Sequence, residues 1–407
     1  MRETAPLWAL CSVNDEALSD KTDPGFSFEY VDISNVSEGH INDDLETLVF
    51  AAAPSRARRI ARPGDVIVST VRTYLRAIAR VDETENQRIY STGFAVLRPD
   101  REHVDPRYIG YVLGCDQVMD EIVATSVGVS YPAIQASALH RIRVPFTSFD
   151  AQERIADYLD RETGEIDAMI AKLDELTETL RVRAGEVATR AVFGLGDGRV
   201  HRAIDASSPL VGIPDGWEHT KFGYDFVEST ERNGDDPQGP LLSISEYRGV
   251  ELNTRTDGQQ ASADVSKYRV VRPGQLAANM MWLNHGGLGV SSMTGYISPD
   301  YKAFWISDRF DPQYVHYLFR SSRYIDYFSA ISTGVRPNAK RVTKTVLDAT
   351  PVPLPPLDEQ KRIADHLDDV NARIDRMLAK VADLKTLLLE RRSALITDVV
   401  TGRKDIA

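Results

Sequence analysis

The chain has 407 residues, 42% of them hydrophobic and 27% charged, with 26 Gly and 20 Pro. That mix excludes a disordered or collagen-like chain, and at roughly 100–200 residues per domain the length predicts two to four domains with cores of their own. With 48 Lys+Arg against 60 Asp+Glu the formal net charge is -12, so the average charge does not mark a nucleic-acid binder and any basic footprint must be local.

Along the first part of the chain, the apolar run Leu48-Val49-Phe50-Ala51-Ala52-Ala53 is far short of the ~20 residues that span a bilayer. The opening Met1-Arg2-Glu3-Thr4-Ala5-Pro6 lacks the apolar core of a secretion signal, and Cys11 and Cys115 are the only thiols; both points lead to a cytoplasmic protein as the expectation. Residues 56–80 hold Arg56, Arg58, Arg59, Arg62, Arg72, Arg76 and Arg80 against Asp65 alone. After the Pro63-Gly64 turn, 65–69 reads as a strand, followed by a loop-like stretch, Ser69-Thr70-Val71-Arg72-Thr73-Tyr74-Leu75-Arg76. A second strand is predicted over 93–98, a short helix over 108–113 behind Asp105-Pro106, and a second loop at Thr125-Ser126-Val127-Gly128-Val129-Ser130-Tyr131.

The later part of the chain repeats the earlier part. Asp150-Ala151-Gln152-Glu153-Arg154-Ile155-Ala156-Asp157-Tyr158-Leu159-Asp160 recurs as Asp358-Glu359-Gln360-Lys361-Arg362-Ile363-Ala364-Asp365-His366-Leu367-Asp368, an offset of 208 that also pairs Gly194 with Gly402. Val144-Pro145-Phe146 matches Val352-Pro353-Leu354, Asp105-Pro106-Arg107-Tyr108 matches Asp311-Pro312-Gln313-Tyr314, and Arg62-Pro63-Gly64-Asp65 matches Arg272-Pro273-Gly274-Gln275; Trp8 is paired with Trp217 in the same way. Two copies of one unit are therefore expected. A strand at 241–244 and a short helix at 314–319 complete the second copy.

Each copy ends in a segment with helical periodicity. Alternate steps of four and three from Ile155 reach Leu159, Glu162, Ile166, Met169, Leu173, Leu176, Leu180, Arg183 and Val187; from Ile363 they reach Leu367, Val370, Ile374, Met377, Val381, Leu384, Leu388, Arg391 and Leu395. Eight and nine of each ten positions are apolar, the narrow 3.5-residue stripe of a coiled-coil seam. Asp150 and Asp358 read as N-caps, Gly194 and Gly402 as stops. The expected fold is α+β: mixed α/β heads at 1–149 and 213–357, long helices at 150–194 and 358–402 pairing antiparallel with pseudo two-fold symmetry, a linker at 195–212 and a tail at 403–407. Packing of each helix on its own head, or on a second chain, stays open.

Catalytic signatures are missing. There is no G-x-x-x-x-G-K-[ST], no H-E-x-x-H, no Gly-rich dinucleotide or S-adenosylmethionine loop, and the eight histidines never fall at ligand spacing, so neither a catalytic residue nor a metal site is expected. Gly286-Gly287-Leu288-Gly289 reads as a turn, and Glu83/Glu85 and Asp235/Asp236 as solvated pairs. What remains is a pair of loops per copy suited to DNA. In the first copy these supply Thr70, Arg72, Thr73, Tyr74 and Arg76, then Ser126, Ser130 and Tyr131, with Arg56, Arg58 and Arg59 upstream. In the second they supply Asn279, Trp282, Asn284 and His285, then Thr333, Arg336, Asn338, Lys340, Arg341 and Lys344. Arginine bridges guanine O6 and N7, asparagine reads adenine, and hydroxyls reach phosphates or bases. A solvated charge run is the plainer reading of any one loop; two loops recurring in both copies favour DNA.

Taken together the chain resembles the specificity subunit of a type I restriction-modification enzyme. The resemblance covers nearly its full length and is carried by Pro353-Leu354-Pro355-Pro356-Leu357-Asp358-Glu359-Gln360-Lys361-Arg362-Ile363, by Ala394-Leu395-Ile396-Thr397-Asp398-Val399-Val400-Thr401-Gly402 and by Ile213-Pro214-Asp215-Gly216-Trp217. The first copy, from Pro145 to Ile155, lacks the Pro-Pro and Glu-Gln pairs. The resemblance implies a non-catalytic subunit in which two target-recognition domains each read half of a split, asymmetric double-stranded DNA site and the paired helices set the gap. It also implies two methyltransferase subunits that use S-adenosylmethionine on adenine N6, and restriction subunits that use ATP and Mg, with no cofactor in this chain. The competing expectations are a coiled-coil scaffold with two protein- or ligand-binding modules and no DNA contact, and a subunit of a related defence methylation system lacking restriction partners.

Overall fold

The computed structural model describes residues 2–406 other than 38, 83, 85, 86, 129–131, 197, 203–207, 211, 247, 255–263 and 335–340. The Glu83/Glu85 pair therefore lies outside the described residues, as do Ser130, Tyr131, Arg336, Asn338 and Lys340. Two compact units form, one from Met1–Asp174 with Ala382–Ala407 and one from Glu175–Val381.

In the first unit a four-stranded antiparallel sheet is ordered Cys11–Val13, Phe94–Pro99, Val66–Ser69, Ile78–Arg80. A second sheet is ordered Glu46–Val49, Ser27–Val31, Arg88–Ser91, Ala57–Arg59. In the second unit Phe226–Ser229, Lys302–Ile306, Leu276–Ala278 and Leu288–Val290 repeat the first arrangement strand for strand. The Arg-Pro-Gly turns enter the third strand of each sheet, closed by Asp65 Oδ2 accepting from Arg62 N at 2.8 Å and by Gln275 Oε1 accepting from Arg272 N at 2.8 Å. Helices Pro106–Gly114 and Pro312–Phe319 begin as their sequences require: Asp105 and Asp311 accept from the backbone of the first turn, and proline occupies the position whose N–H has no partner.

Glu3–Pro6 pairs with Arg143–Phe146 in one unit and Glu218–Lys221 with Pro351–Leu354 in the other, Glu3 facing Phe146 and Glu218 facing Leu354. This corrects one pairing of the repeat. Glu3 corresponds to Glu218, so Trp217 corresponds to Arg2 rather than to Trp8. Trp8 is 61% exposed whereas Trp217 is 2% exposed against Gly194, as Arg2 lies against Gly402.

The long helices run over Phe149–Val192 and Leu357–Thr401, 44 and 45 residues, or roughly 66 Å each at 1.5 Å per residue. Gly194 and Gly402 follow them with φ of 61° and 74°, the left-handed conformation that stops a helix at least cost in glycine. Asp150 and Asp358 are not N-caps. Each lies inside the first turn, and the Ser148 and Pro356 carbonyls accept from Gln152 N and Gln360 N. Acids there still favour the positive helix end.

The two helices pair antiparallel. In the first unit the early part of one lies along the late part of the other, with Lys385 bonded to Asp174 and Arg392 Nε 3.0 Å from Asp167. The seam contains Ile155, Leu159, Ile166, Leu173 and Leu180 on one helix and Ile363, Leu367, Val370, Ile374, Val381 and Leu388 on the other, all buried or half-buried. Its alternate layer is shifted by one residue from the sequence reading. Met169, Leu176, Met377 and Leu384 are 49%, 43%, 44% and 42% exposed, while Ile170, Thr177, Leu378 and Lys385 turn partly inward. A 3.5-residue repeat admits either phase. Hydropathy favours Met and Leu, but the observed phase lets threonine narrow the seam and lets Lys385 and Arg392 lay their stems along it with their charges on aspartates.

Each head also packs on helix ends. Ile155, Leu159, Ile396, Val399 and Val400 belong to the first head's core, and Val192, Phe193, Ala364 and Leu367 to the second's. Pairing and packing on a head are thus combined. Gln152 and Gln360, both fully buried, fasten helix starts to heads with the same three bonds: Oε1 accepts from Asp105 N (3.0 Å) or Asp311 N (2.9 Å), and Nε2 donates to the carbonyls of His103 and Thr147, or Arg309 and Pro355.

Candidate nucleic-acid interface

The predicted loops of each unit meet. In the first, Ile134 N donates to Thr70 O at 2.8 Å, Arg72 N to Pro132 O at 2.8 Å, and the hydroxyls of buried Thr73 and half-buried Ser126 lie 2.8 Å apart. In the second, Val342 N donates to Met280 O at 3.1 Å, and Thr333 and Arg341 exchange backbone bonds of 3.0 Å. Val342 is the repeat partner of Ile134 and Met280 that of Thr70, so the junction is the same in both.

The first loop of each unit closes as a 3-10 turn, Thr73–Leu75 or Leu283–His285, ended by Arg76 at φ 52° or Gly286 at φ 70°. Thr73 and Leu283 point inward. Arg72 therefore stands where Trp282 stands, and both are exposed. Arg72 itself adopts φ 53°, a costly conformation for an arginine, held by its bond to Pro132. Tyr74 is exposed beside it, and Thr70 turns its hydroxyl back to Gly93 O at 2.8 Å. In the second unit, the Trp282 and His285 rings pack at a tilt with centroids 4.5 Å apart, Asn279 Oδ1 accepts from Met281 N at 3.1 Å, and Asn284 is half-buried. Leu75, Val127 and Met281 also present apolar surface here. The sequence reading did not single them out, although an aliphatic residue inside a polar loop is a visible signal.

Most of the arginine run is neutralised by acids distant in sequence. Arg56 donates to Tyr30 Oη at 3.1 Å and to Asp32 at 2.6 Å, which together raise its pKa. Arg58 lies over the Phe50 ring at 4.7 Å and 3.9 Å from Asp20, and burial lowers the pKa of Arg59. Arg62 meets Glu16 at 2.7 Å, Arg80 meets Asp82 at 3.0 Å and Arg76 meets Asp116 at 2.6 Å. Burial pushes the Asp116 carboxyl up, but hydrogen bonds from Arg76, Ser393 and Thr397 outweigh it and leave its pKa low. Arg56, Arg58 and Arg76 are therefore tied to acids of the same unit as well as carrying charge at its surface, and Arg59 is partly buried. Lys344 likewise closes on Asp348 at 2.5 Å, one turn away, whereas Arg341 is exposed.

Comparison with known proteins relates the chain to one family of proteins. Residues 308–385 match the model of the type I restriction modification DNA specificity domain. The StySPI specificity subunit of Salmonella potsdam is 21% identical over 324 residues, 75% of this chain and 67% of that protein. The EcoBI specificity subunit of Escherichia coli is 37% identical over 78 residues, 19% of this chain and 16% of that protein. The chain is similar to type I restriction-modification specificity subunits, and the match to their domain model covers residues 308–385. A chain in a solved structure concerned with complex assembly and conformational transition of the type I R-M system has the same fold, with a TM-score of 0.62 at 22% identity over 99% of this chain and 98% of that one. This similarity to DNA specificity subunits does not favour the scaffold reading. Among the described residues no group of three His, Cys, Asp or Glu could hold a metal ion, and no helix is long and apolar enough to cross a membrane.

Proposed function

We propose that the two loop junctions are the DNA-reading surfaces, each reading one half of a split, asymmetric double-stranded site. One observation carries this: the loops that the sequence marks for DNA are separate along the chain, yet join through the same backbone bond in both units, Ile134 N to Thr70 O and Val342 N to Met280 O. Arg72, Tyr74 and the Thr70 backbone form one junction, and Trp282, Asn284, His285 and Arg341 the other. Unlike side chains on like backbones are what two different half-sites need, because base edges are distinguished by donor pattern while phosphate contacts only position the protein.

The helical seam supplies the spacing between the halves. The chain itself is non-catalytic and cytoplasmic in this reading. It places two methyltransferase subunits, which bring S-adenosylmethionine to adenine N6, and restriction subunits that use ATP and Mg. The acidic total fits a chain whose surface is largely given over to protein partners. Binding of the chain, co-expressed with its methyltransferase, to random duplex DNA across a salt series tests the reading. Affinity must fall steeply as salt rises, since neutralised phosphates release counterions, and no affinity at low salt refutes it. Cutting of unmodified DNA by a complex reconstituted from neighbouring genes separates a full restriction system from one that only methylates.

A further inference from the structure

The geometry points to Arg320 as the positioning residue of the second DNA-reading loop, clamping residues 279–287 to the hairpin Leu242–Ser245/Gly249–Leu252. Arg320 follows helix Pro312–Phe319 and sends its guanidinium into the second head, where it donates to four backbone carbonyls. Two belong to the loop and the strand leaving it, Gly286 O at 3.0 Å and Leu288 O at 2.8 Å. The others belong to the hairpin, Ser245 O at 3.2 Å and Glu246 O at 2.5 Å. Four residues earlier on the same helix face, His316 Nδ1 accepts from Val290 N at 3.2 Å and fixes the next strand. Burial pulls the guanidinium down to about 10 and the imidazole to about 4, so both are well desolvated, and His316 serves as a neutral acceptor. A guanidinium with five N–H donors suits this task, Nη1 serving the Ser245, Gly286 and Leu288 carbonyls and Nη2 that of Glu246, whereas an ammonium has three.

The first head is built differently at this place. By the repeat offset, His316 and Arg320 correspond to Gly110 and Gly114, which carry no side chain toward the first head's hairpin, Val36–Ser37 with His40–Ile41. A guanidinium arrives instead from the second long helix: the position of a Cβ on the hairpin glycine Gly39 is 3.4 Å from Arg392 Nη2, as that on Gly249 is 3.5 Å from Arg320 Nη1. Residue 392 has Ala184 as its repeat partner. The cation at the hairpin turn is kept while the element supplying it changes. The second loop is thereby fixed from within its own head, independently of the helix pair.

The inference rests on reading 279–285 as a DNA-facing loop, and its test separates the two. The full chain, co-expressed with its methyltransferase, selects duplexes from a randomised pool, and the same preparations are followed by hydrogen exchange. Arg320→Met should leave first-half selection intact, weaken discrimination at the second half by about 10–100-fold, the worth of one good base contact, and speed exchange at the amides of Asn279, Trp282, His285, Gly286 and Gly287. Arg320→Lys should recover part of both. Unchanged exchange at those amides, or equal loss at both halves, overturns the clamp. Trp282→Ala with His285→Ala is the control: if it leaves the second half intact, the loop reading fails, and faster exchange in Arg320→Met still supports the clamp.

Discussion

Replacing Gln360 by leucine tests whether the long helices are fastened to their heads by a single buried amide. The side chain is fully buried and makes three hydrogen bonds of 2.9–3.0 Å, to Asp311 N, Arg309 O and Pro355 O. Leucine fills a similar volume but leaves one N–H and two carbonyls without partners. At about 1–3 kcal/mol for each of the three orphaned groups, less about 1 kcal/mol regained from apolar burial, Gln360→Leu should cost ~2–8 kcal/mol. Glutamate should do no better near neutral pH, since its carboxylate would face two carbonyl oxygens. Urea unfolding of the full chain, with hydrogen exchange to assign each transition, should show the loss in the second unit only, and Gln152→Leu should give the mirror result in the first. In the DNA-binding complex a loosened second head should also accept a wider range of half-site spacings. A cost below about 1 kcal/mol, or a loss in the opposite unit, refutes the reasoning.

Arg72→Ala should weaken recognition of the first half-site alone by ~1–3 kcal/mol if its contact is bidentate; duplex competition measures this, and equal loss at both halves counts against separate heads. Arg76→Ala should instead act through Asp116 and show as lower thermal stability of the first unit, so a pure affinity loss with unchanged melting would restore a direct DNA role. In the seam, Leu173→Ala should destabilise by ~2–4 kcal/mol and Met169→Ser by under ~1 kcal/mol, the contrast that separates the two seam phases; denaturant unfolding reads it. His316 has its folded pKa depressed to about 4 from an ordinary 6.5, so between those values the unfolded chain binds the extra proton. Stability is then fully present above pH 6.5 and is lost as pH falls toward 4, by up to ~3 kcal/mol, and a melting curve of His316→Gln that drops just as steeply over that window would contradict it.

The strand after the Pro63-Gly64 turn, the short helix after each Asp-Pro and the long 3.5-residue stripes were legible because each depends on neighbours within a few residues, and the repeat because both copies keep those local signals. Proline restricts its own φ and that of the residue before it, an aspartate caps its own helix, and a stripe is a local period. The loops were legible by composition, since serine, threonine, arginine and asparagine collect where the backbone leaves the sheet. Tertiary structure alone decided which arginines are spoken for, because Asp32, Glu16 and Asp116 are remote from Arg56, Arg62 and Arg76 in sequence and Coulomb attraction depends on distance in space. It decided that Trp217 answers to Arg2, because strand register and not residue type sets the alignment. It also decided the phase of the seam, where hydropathy pointed to Met169 and Leu176 and the pairing of two helices turned Ile170 and Thr177 inward. A single helix specifies only how wide its apolar stripe is; which edge of that stripe is buried depends on the partner helix lying against it.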